Sequence, residues 1–217
     1  MKALVRFVPG IAIFVAVLFL PAGTLVYWEA WVYLAILFIP MIFVLVHLIR
    51  NNPELLERRL RMREKEAQQR LIIKISYLYF FTAFLLPGFD RRYGWSSVPA
   101  AVVIVADLVV LLGYGVFVLV LRENRYASRV IEVEQQQEVI TTGPYAWVRH
   151  PMYLGVLLMY VASPLALGSY WGIIPTVLLI VLLVARIRNE ESVLLSQLEG
   201  YREYAAQTRY RLFPGIW

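Results

Sequence analysis

Long uninterrupted apolar runs constrain this chain more than any other feature of it. Six segments, Phe7–Tyr27, Trp31–Ile49, Ile72–Phe89, Val98–Leu121, Met152–Gly168 and Tyr170–Ala185, approach the roughly 20 residues that one helical bilayer crossing needs. Charged residues make up only 17% of the 217, against about a quarter in a soluble domain. Lipid is therefore the solvent for much of this surface. The expected fold is all-α, a multi-pass transmembrane bundle of five or six spans. The last two runs are short and separated only by Ser169, which reads as a tight helical hairpin. The first run is too long for the apolar core of a signal peptide and lacks a small-residue cleavage site, so it reads as a span.

Basic residues set the orientation. With the N-terminus in the cytoplasm and six spans, every Lys and Arg except Arg91 and Arg92, out of 21, falls on the cytoplasmic side. Topology and anionic headgroups thus account for the net charge of +6, and nucleic acid is not needed as a partner. Between the second and third runs, Asn52 can cap a helix with Pro53 in its first turn. Leu56, Leu60, Ala67 and Leu71 then share a face opposite Arg58, Arg59 and Arg61. This pattern suits an interfacial helix near 53–70; a plain solvated helix is the alternative.

The chain has no cysteine and two histidines, His47 and His150. Disulfides, thiolate metal sites, cysteine nucleophiles and multi-histidine metal centres are excluded, and no metal is expected. The polar residues able to do chemistry lie in two stretches, Arg122 to His150 and Arg186 to Trp217. In the first, Gly143-Pro144 signals a turn. Pro151 drives His150 out of the helical region and suits the first position of the next helix. His150 would then stand at a helix mouth that favours an anionic ligand group. Tyr145, Trp147 and Tyr153 surround it with rings suited to an adenine or a sulfonium cation, or to an interfacial aromatic belt. In the second stretch, Arg186 and Glu190 are four apart on one helical face. They form either a weak surface ion pair or a charged pair facing a cavity.

These motifs resemble the isoprenylcysteine carboxyl methyltransferase family, within the wider membrane methyltransferases that include phospholipid methyltransferases. The resemblance runs from about Asn124 to the C-terminus. It rests on Gly-Pro-Tyr-Ala-Trp-Val-Arg-His-Pro-Met-Tyr at 143–153, the apolar hairpin, Arg-x-x-x-Glu-Glu at 186–191, Tyr201-x-x-Tyr204 and Arg211-Leu-Phe-Pro214. Gln135-Gln136-Gln137 stands where relatives have a glycine-containing turn, and Leu198-Glu199-Gly200 where many have Phe-Gly. The resemblance divides the chain into N-terminal transmembrane helices, 1–121, and a methyltransferase core, 122–217. It implies a cytoplasmic pocket for S-adenosylmethionine between the loop before span five and the C-terminal helix. The implied cofactor contacts are Glu132, Gln137, Glu138, Val139, Ile140, Tyr145, His150, Pro151, Met152, Tyr153 and Glu190, with Arg186 and Glu190 as catalytic residues and Arg186 on the acceptor's carboxylate.

The implied reaction is methylation of a prenylcysteine-like or other lipidic carboxylate. A carboxylate is already ionised at neutral pH, so the site needs positioning and dryness and no general base. The acceptor would arrive laterally from the membrane lipids. Asp107, at mid-span, either lines that path or bonds to Tyr114 or another helix. Gly113-Tyr114-Gly115 reads as close helix packing, since no strand precedes it. Two other enzymatic readings stay open, phospholipid amine N-methylation and NADPH-dependent sterol-type reduction. Reductases of the latter kind carry Asn before the Tyr of Arg-His-Pro-x-Tyr and Glu soon after the following Gly; Met152 and Val156 stand there instead.

Overall fold

The computed structural model describes residues 2–60, 67–128, 130–131 and 133–217, with side chains from Pro9 onward except at 67 and 68. Arg61, Arg63, Lys65, Arg129 and Glu132 lie outside the described residues. The regular structure of the described residues is all helical, with no strand among them: α1 (Lys2–Ala22), α2 (Trp28–Asn51), α3 (Pro53–Leu60), α4 (Ala67–Tyr93), α5 (Ala100–Glu123), α6 (Pro151–Ala166), α7 (Thr176–Gln197) and α8 (Tyr201–Gln207).

Four stretches, Trp28–Asn51, Gln69–Tyr93, Ala100–Glu123 and Trp171–Gln197, are long and apolar enough to cross a membrane. The expected fifth span is shorter. At 16 residues, α6 rises about 24 Å, less than the hydrocarbon thickness of about 30 Å. The turn after it is wider than one serine. Gly168 takes φ 69°, Ser169 donates to Asp90, and a single helical turn at Trp171–Ile173 precedes α7. A second difference matters more for the site. The expected sixth span and the C-terminal helix beginning at Arg186 are one uninterrupted helix, because nothing between Ala185 and Gln197 breaks helical geometry.

An aromatic core ties the bundle together. Phe14 of α1 lies 4.8 Å, centroid to centroid, from Phe84 of α4, which meets Phe80 at 4.8 Å and Tyr160 of α6 at 6.1 Å. The Tyr33 hydroxyl of α2 shares a 2.7 Å hydrogen bond with Ser163 of α6. Glycines bring α5 against α6: a Cβ added to Gly113 would meet the α6 backbone, whereas one on Gly115 would meet nothing within 4 Å. Asp107 is buried in α5, and its Oδ1 has no hydrogen-bond partner among the described residues. It bonds neither to Tyr114 nor lines the cavities described below.

Helix α3 forms as its sequence suggests, with the Asn52 side chain accepting from the Leu55 N–H at 3.1 Å. Its packing differs. Leu55, not Leu56 or Leu60, is the fully buried leucine. Arg58 and Arg59 turn toward protein rather than water: Arg58 Nε pairs with Glu134 at 3.0 Å and its Nη1 donates to the Arg125 carbonyl at 2.9 Å. The carboxylate and carbonyls of the 124–138 loop outcompete solvent for these guanidinium groups, and α3 becomes a strut behind that loop.

Candidate active site

Continuity of α7 places Arg186, Glu190 and Leu194 in one stripe, four residues apart, with Leu198 following just past the helix. The stripe faces Tyr153 in the first turn of α6. Arg186 Nε donates to the Tyr153 hydroxyl at 2.8 Å, and that hydroxyl donates to the Glu190 carboxylate. The two charged side chains expected on one helical face are thus bridged by a phenol from another helix. Arg186 is further held by α4, its Nη1 donating to Gln69 Oε1 at 3.1 Å, and Gln69 is fully buried.

Glu191, one residue on, points into the protein. Arg149 approaches it at 3.1 Å, His150 Nε2 at 3.3 Å and Arg211 Nε at 2.7 Å. A buried carboxylate demands such partners, since desolvation without them costs several kcal/mol. The backbone repeats the same tie: the N–H groups of Arg149 and His150 donate to the carbonyls of Tyr210 and Arg211 at 2.9 and 3.0 Å. The tail is therefore clamped beside the loop. His150 caps α6 with non-helical φ −126°, and Pro151 follows at the first helical position. Its ring, however, is buried between Glu191 and Glu190, the latter 3.9 Å from Nδ1. Positioning, rather than an open anion-binding mouth, is what its surroundings allow.

The loop from α5 to α6 builds the opposite wall. Asn124 ends α5 and donates through Nδ2 to the Tyr145 hydroxyl at 2.8 Å; the Tyr204 hydroxyl donates to the Tyr145 carbonyl at 2.8 Å. Burial pushes the Tyr145 phenol up to about 12, with the Asn124 hydrogen bond acting the other way. It remains a neutral hydroxyl across physiological pH. At the Gln135-Gln136-Gln137 turn, Gln136 itself takes the left-handed φ of 61°. Gln137 holds the turn by accepting the Glu134 N–H through its side chain at 3.0 Å.

Between these walls lies a cleft of about 130 Å³ that opens to solvent. Gln137, Glu138, Val139, Ile140, Tyr145, His150, Met152, Tyr153, Arg186 and Glu190 all line it. Pro151 is buried at the start of α6 and does not line it, and Glu132 lies outside the described residues. The cleft also uses Asn124, Ser128, Leu194, Leu198, Tyr201 and Tyr204, none of which the sequence reading assigned a contact. Leu194 continues the stride of four begun by Arg186 and Glu190, and the two tyrosines sit in a quoted motif, so a signal existed for these. For Asn124 and Ser128 it did not.

A second cavity of about 510 Å³ opens between α4, α5, α6 and α7. Its walls are largely aromatic and aliphatic, including Tyr79, Phe80, Phe117, Tyr160 and Leu183. It shares Ser128, Met152, Tyr153 and Arg186 with the polar cleft, so the two spaces meet at the Arg186–Tyr153 hydrogen bond.

Residues 101–200, from the first turn of α5 through the loop, α6 and α7, match the family model described as phospholipid methyltransferase. The segment that supplies most of the cleft is similar to the phospholipid-methyltransferase-like superfamily, and what the chain carries there supports a membrane methyltransferase.

Proposed function

We propose that this protein is an integral membrane enzyme that uses S-adenosylmethionine to methylate the carboxylate of a lipid-like acceptor. The observation that carries the reading is the Arg186–Tyr153–Glu190 chain at the seam between a polar cleft and an apolar groove. The polar cleft is narrow, about 130 Å³, and opens to solvent. Its residues fit the cofactor in kind: Tyr145, Tyr201 and Tyr204 offer ring faces for an adenine, and Glu190 offers a carboxylate to a sulfonium cation. When bound, the cofactor supplies an electrophilic methyl group.

The chain's own residues then have distinct tasks. Arg186 orients the acceptor carboxylate with its planar fork. Tyr153 fixes Arg186 relative to Glu190, so acceptor side and cofactor side keep one geometry. The aromatic groove holds the acceptor's apolar tail and keeps water from the seam. By the placement of Lys and Arg, this end of the bundle faces the cytoplasm.

The matched family's description favours a second reading, N-methylation of a phospholipid amine. An amine must lose a proton, and Glu190, bonded to Tyr153 at the seam, is a cleft carboxylate placed to accept it. Calorimetry on the detergent-purified chain tests the common core of both readings. S-adenosylmethionine is expected to bind in the micromolar range, with binding lost in Tyr153→Ala and Glu190→Ala. Tight binding of NADPH with none of S-adenosylmethionine would replace both by a reductase.

A further inference from the structure

The turn that leads into the cleft wall is held in an uncommon conformation. The Gln137 N–H donates to the Glu134 carbonyl at 3.2 Å, which closes a turn over 134–137. The third residue of that turn, Gln136, takes φ 61°. Turns of this kind favour glycine there, because in the left-handed region a Cβ crowds the following carbonyl oxygen. A glutamine persists at such a place only where its surroundings over-determine the geometry. Directly after it, Gln137, Glu138, Val139 and Ile140 line the cleft.

Arg58 of α3 grips this turn at two points. Its Nε donates to both carboxylate oxygens of Glu134, the first residue of the turn, at 3.0 and 3.1 Å. Its Nη1 donates to the Arg125 carbonyl at 2.9 Å, and its guanidinium carbon lies 6.0 Å from the Tyr126 ring centroid. The Tyr126 hydroxyl donates in turn to the Gln136 carbonyl at 3.4 Å. Helix α3 lies outside the segment that matches the family model. We infer that Arg58 is a positioning residue, which braces the strained Gln136 turn and so presets the cleft wall for S-adenosylmethionine. The inference rests on the methyl-transfer reading for its ligand and on geometry alone for its mechanics. A charge-assisted grip on the first residue, with a tyrosine held against the third, fixes a turn whose own torsion favours relaxation. The wall then stands before the ligand arrives, and binding does not have to order it.

A more ordinary role for Arg58 is to dock α3 against the loop, in which case its loss lowers stability and no change in the turn relieves it. Glycine at 136 separates the two roles, since it removes the strain without replacing any contact. Arg58→Met, Gln136→Gly and the double variant of the full chain are compared in detergent. Calorimetry measures S-adenosylmethionine, and hydrogen exchange follows the Gln137 amide. Arg58→Met is expected to weaken S-adenosylmethionine about tenfold and to speed exchange at Gln137. Arg58→Lys, which keeps the charge but not the fork, recovers part of the loss. Gln136→Gly alone should bind within about threefold of the wild type, and in the Arg58→Met background it should restore most of the affinity and the protection. If the Met variant fails to fold, the Lys variant carries the same comparison. A double variant no better than Arg58→Met, or a Gln137 amide as protected in Arg58→Met as in the wild type, would overturn the inference. The expected exchange pattern with no S-adenosylmethionine bound, even by the wild type, would instead sink the methyl-transfer reading alone.

Discussion

A Cβ added to Gly113 would lie 2.6 Å from the carbonyl oxygen of Gly155, and one added to Gly155 would lie 2.7 Å from that of Gly113. The two backbones thus touch face to face, and α5 and α6 share the most extensive helix contact among the described residues. Backbone cannot retreat as a flexible side chain can. Gly113→Ala and Gly155→Ala are each expected to destabilise the chain by about 1–3 kcal/mol, the usual cost of overpacking. Thermal melts in detergent check this. Since both changes force the same pair of helices apart, the double variant should lose less than the sum. Gly115→Ala serves as the control and should leave the melt unchanged.

Tyr153→Phe keeps the ring and removes the hydroxyl between Arg186 and Glu190. Hydrogen bonds to charged groups contribute about 1.5–3 kcal/mol, so kcat/KM for methyl transfer should fall roughly 10- to 100-fold. The melting temperature should fall as well, by a few degrees, because the same hydroxyl ties α6 to α7. A variant with full activity would remove Tyr153 from the proposed mechanism.

Neighbouring glutamates should behave in opposite ways. Glu191 is buried among Arg149, His150 and Arg211; Glu191→Gln leaves those groups short of a counter-charge and should cost about 3–5 kcal/mol of stability. Glu190 lines the cleft. Glu190→Gln should fold normally and weaken S-adenosylmethionine about tenfold, the effect of one charge-assisted contact. Paired melts and calorimetry on both variants decide it.

Alkaline pH gives a further test. The Tyr145 phenol is raised by burial to about 12 in the folded chain, whereas an exposed phenol titrates near 10. Its contribution to stability is complete below about pH 10 and is lost as pH rises toward 12, because the unfolded chain ionises first. Tyr145→Phe should therefore flatten the decline in melting temperature between those two pH values. An identical slope in both proteins would place Tyr145 in a more solvated setting.

The sequence carries the helical class and the residue types of the cleft, for definite physical reasons. Apolar runs longer than a turn of core helix report lipid directly, and Pro151 fixes the conformation of His150 through sterics alone. Where helices end against one another is less legible. The apolar run ends at Ala185, where charged residues begin, but hydrophobicity governs immersion and not backbone geometry. Nothing in Arg186-Ile187-Arg188-Asn189 stops a helix, and α7 runs on. The arginines of α3 mislead for a related reason. Their charge reads as solvent-facing, and only the fold brings Glu134, 76 residues beyond Arg58, within reach. Tyr153 as a bridge between Arg186 and Glu190 depends on the mutual rotation of α6 and α7, which no local pattern encodes.

That continuity of α7 couples the bilayer to the chemistry. One rod extends from Thr176, beside the turn that follows α6, to the wall formed by Leu194. A rigid rod cannot change its angle at one end only. Acyl chains too short or too long for its hydrophobic length would lean it over, carrying Arg186 and Glu190 along as a unit against the fixed loop. Lipid length would then tune catalysis in the way a ligand does, with no molecule bound to the cleft.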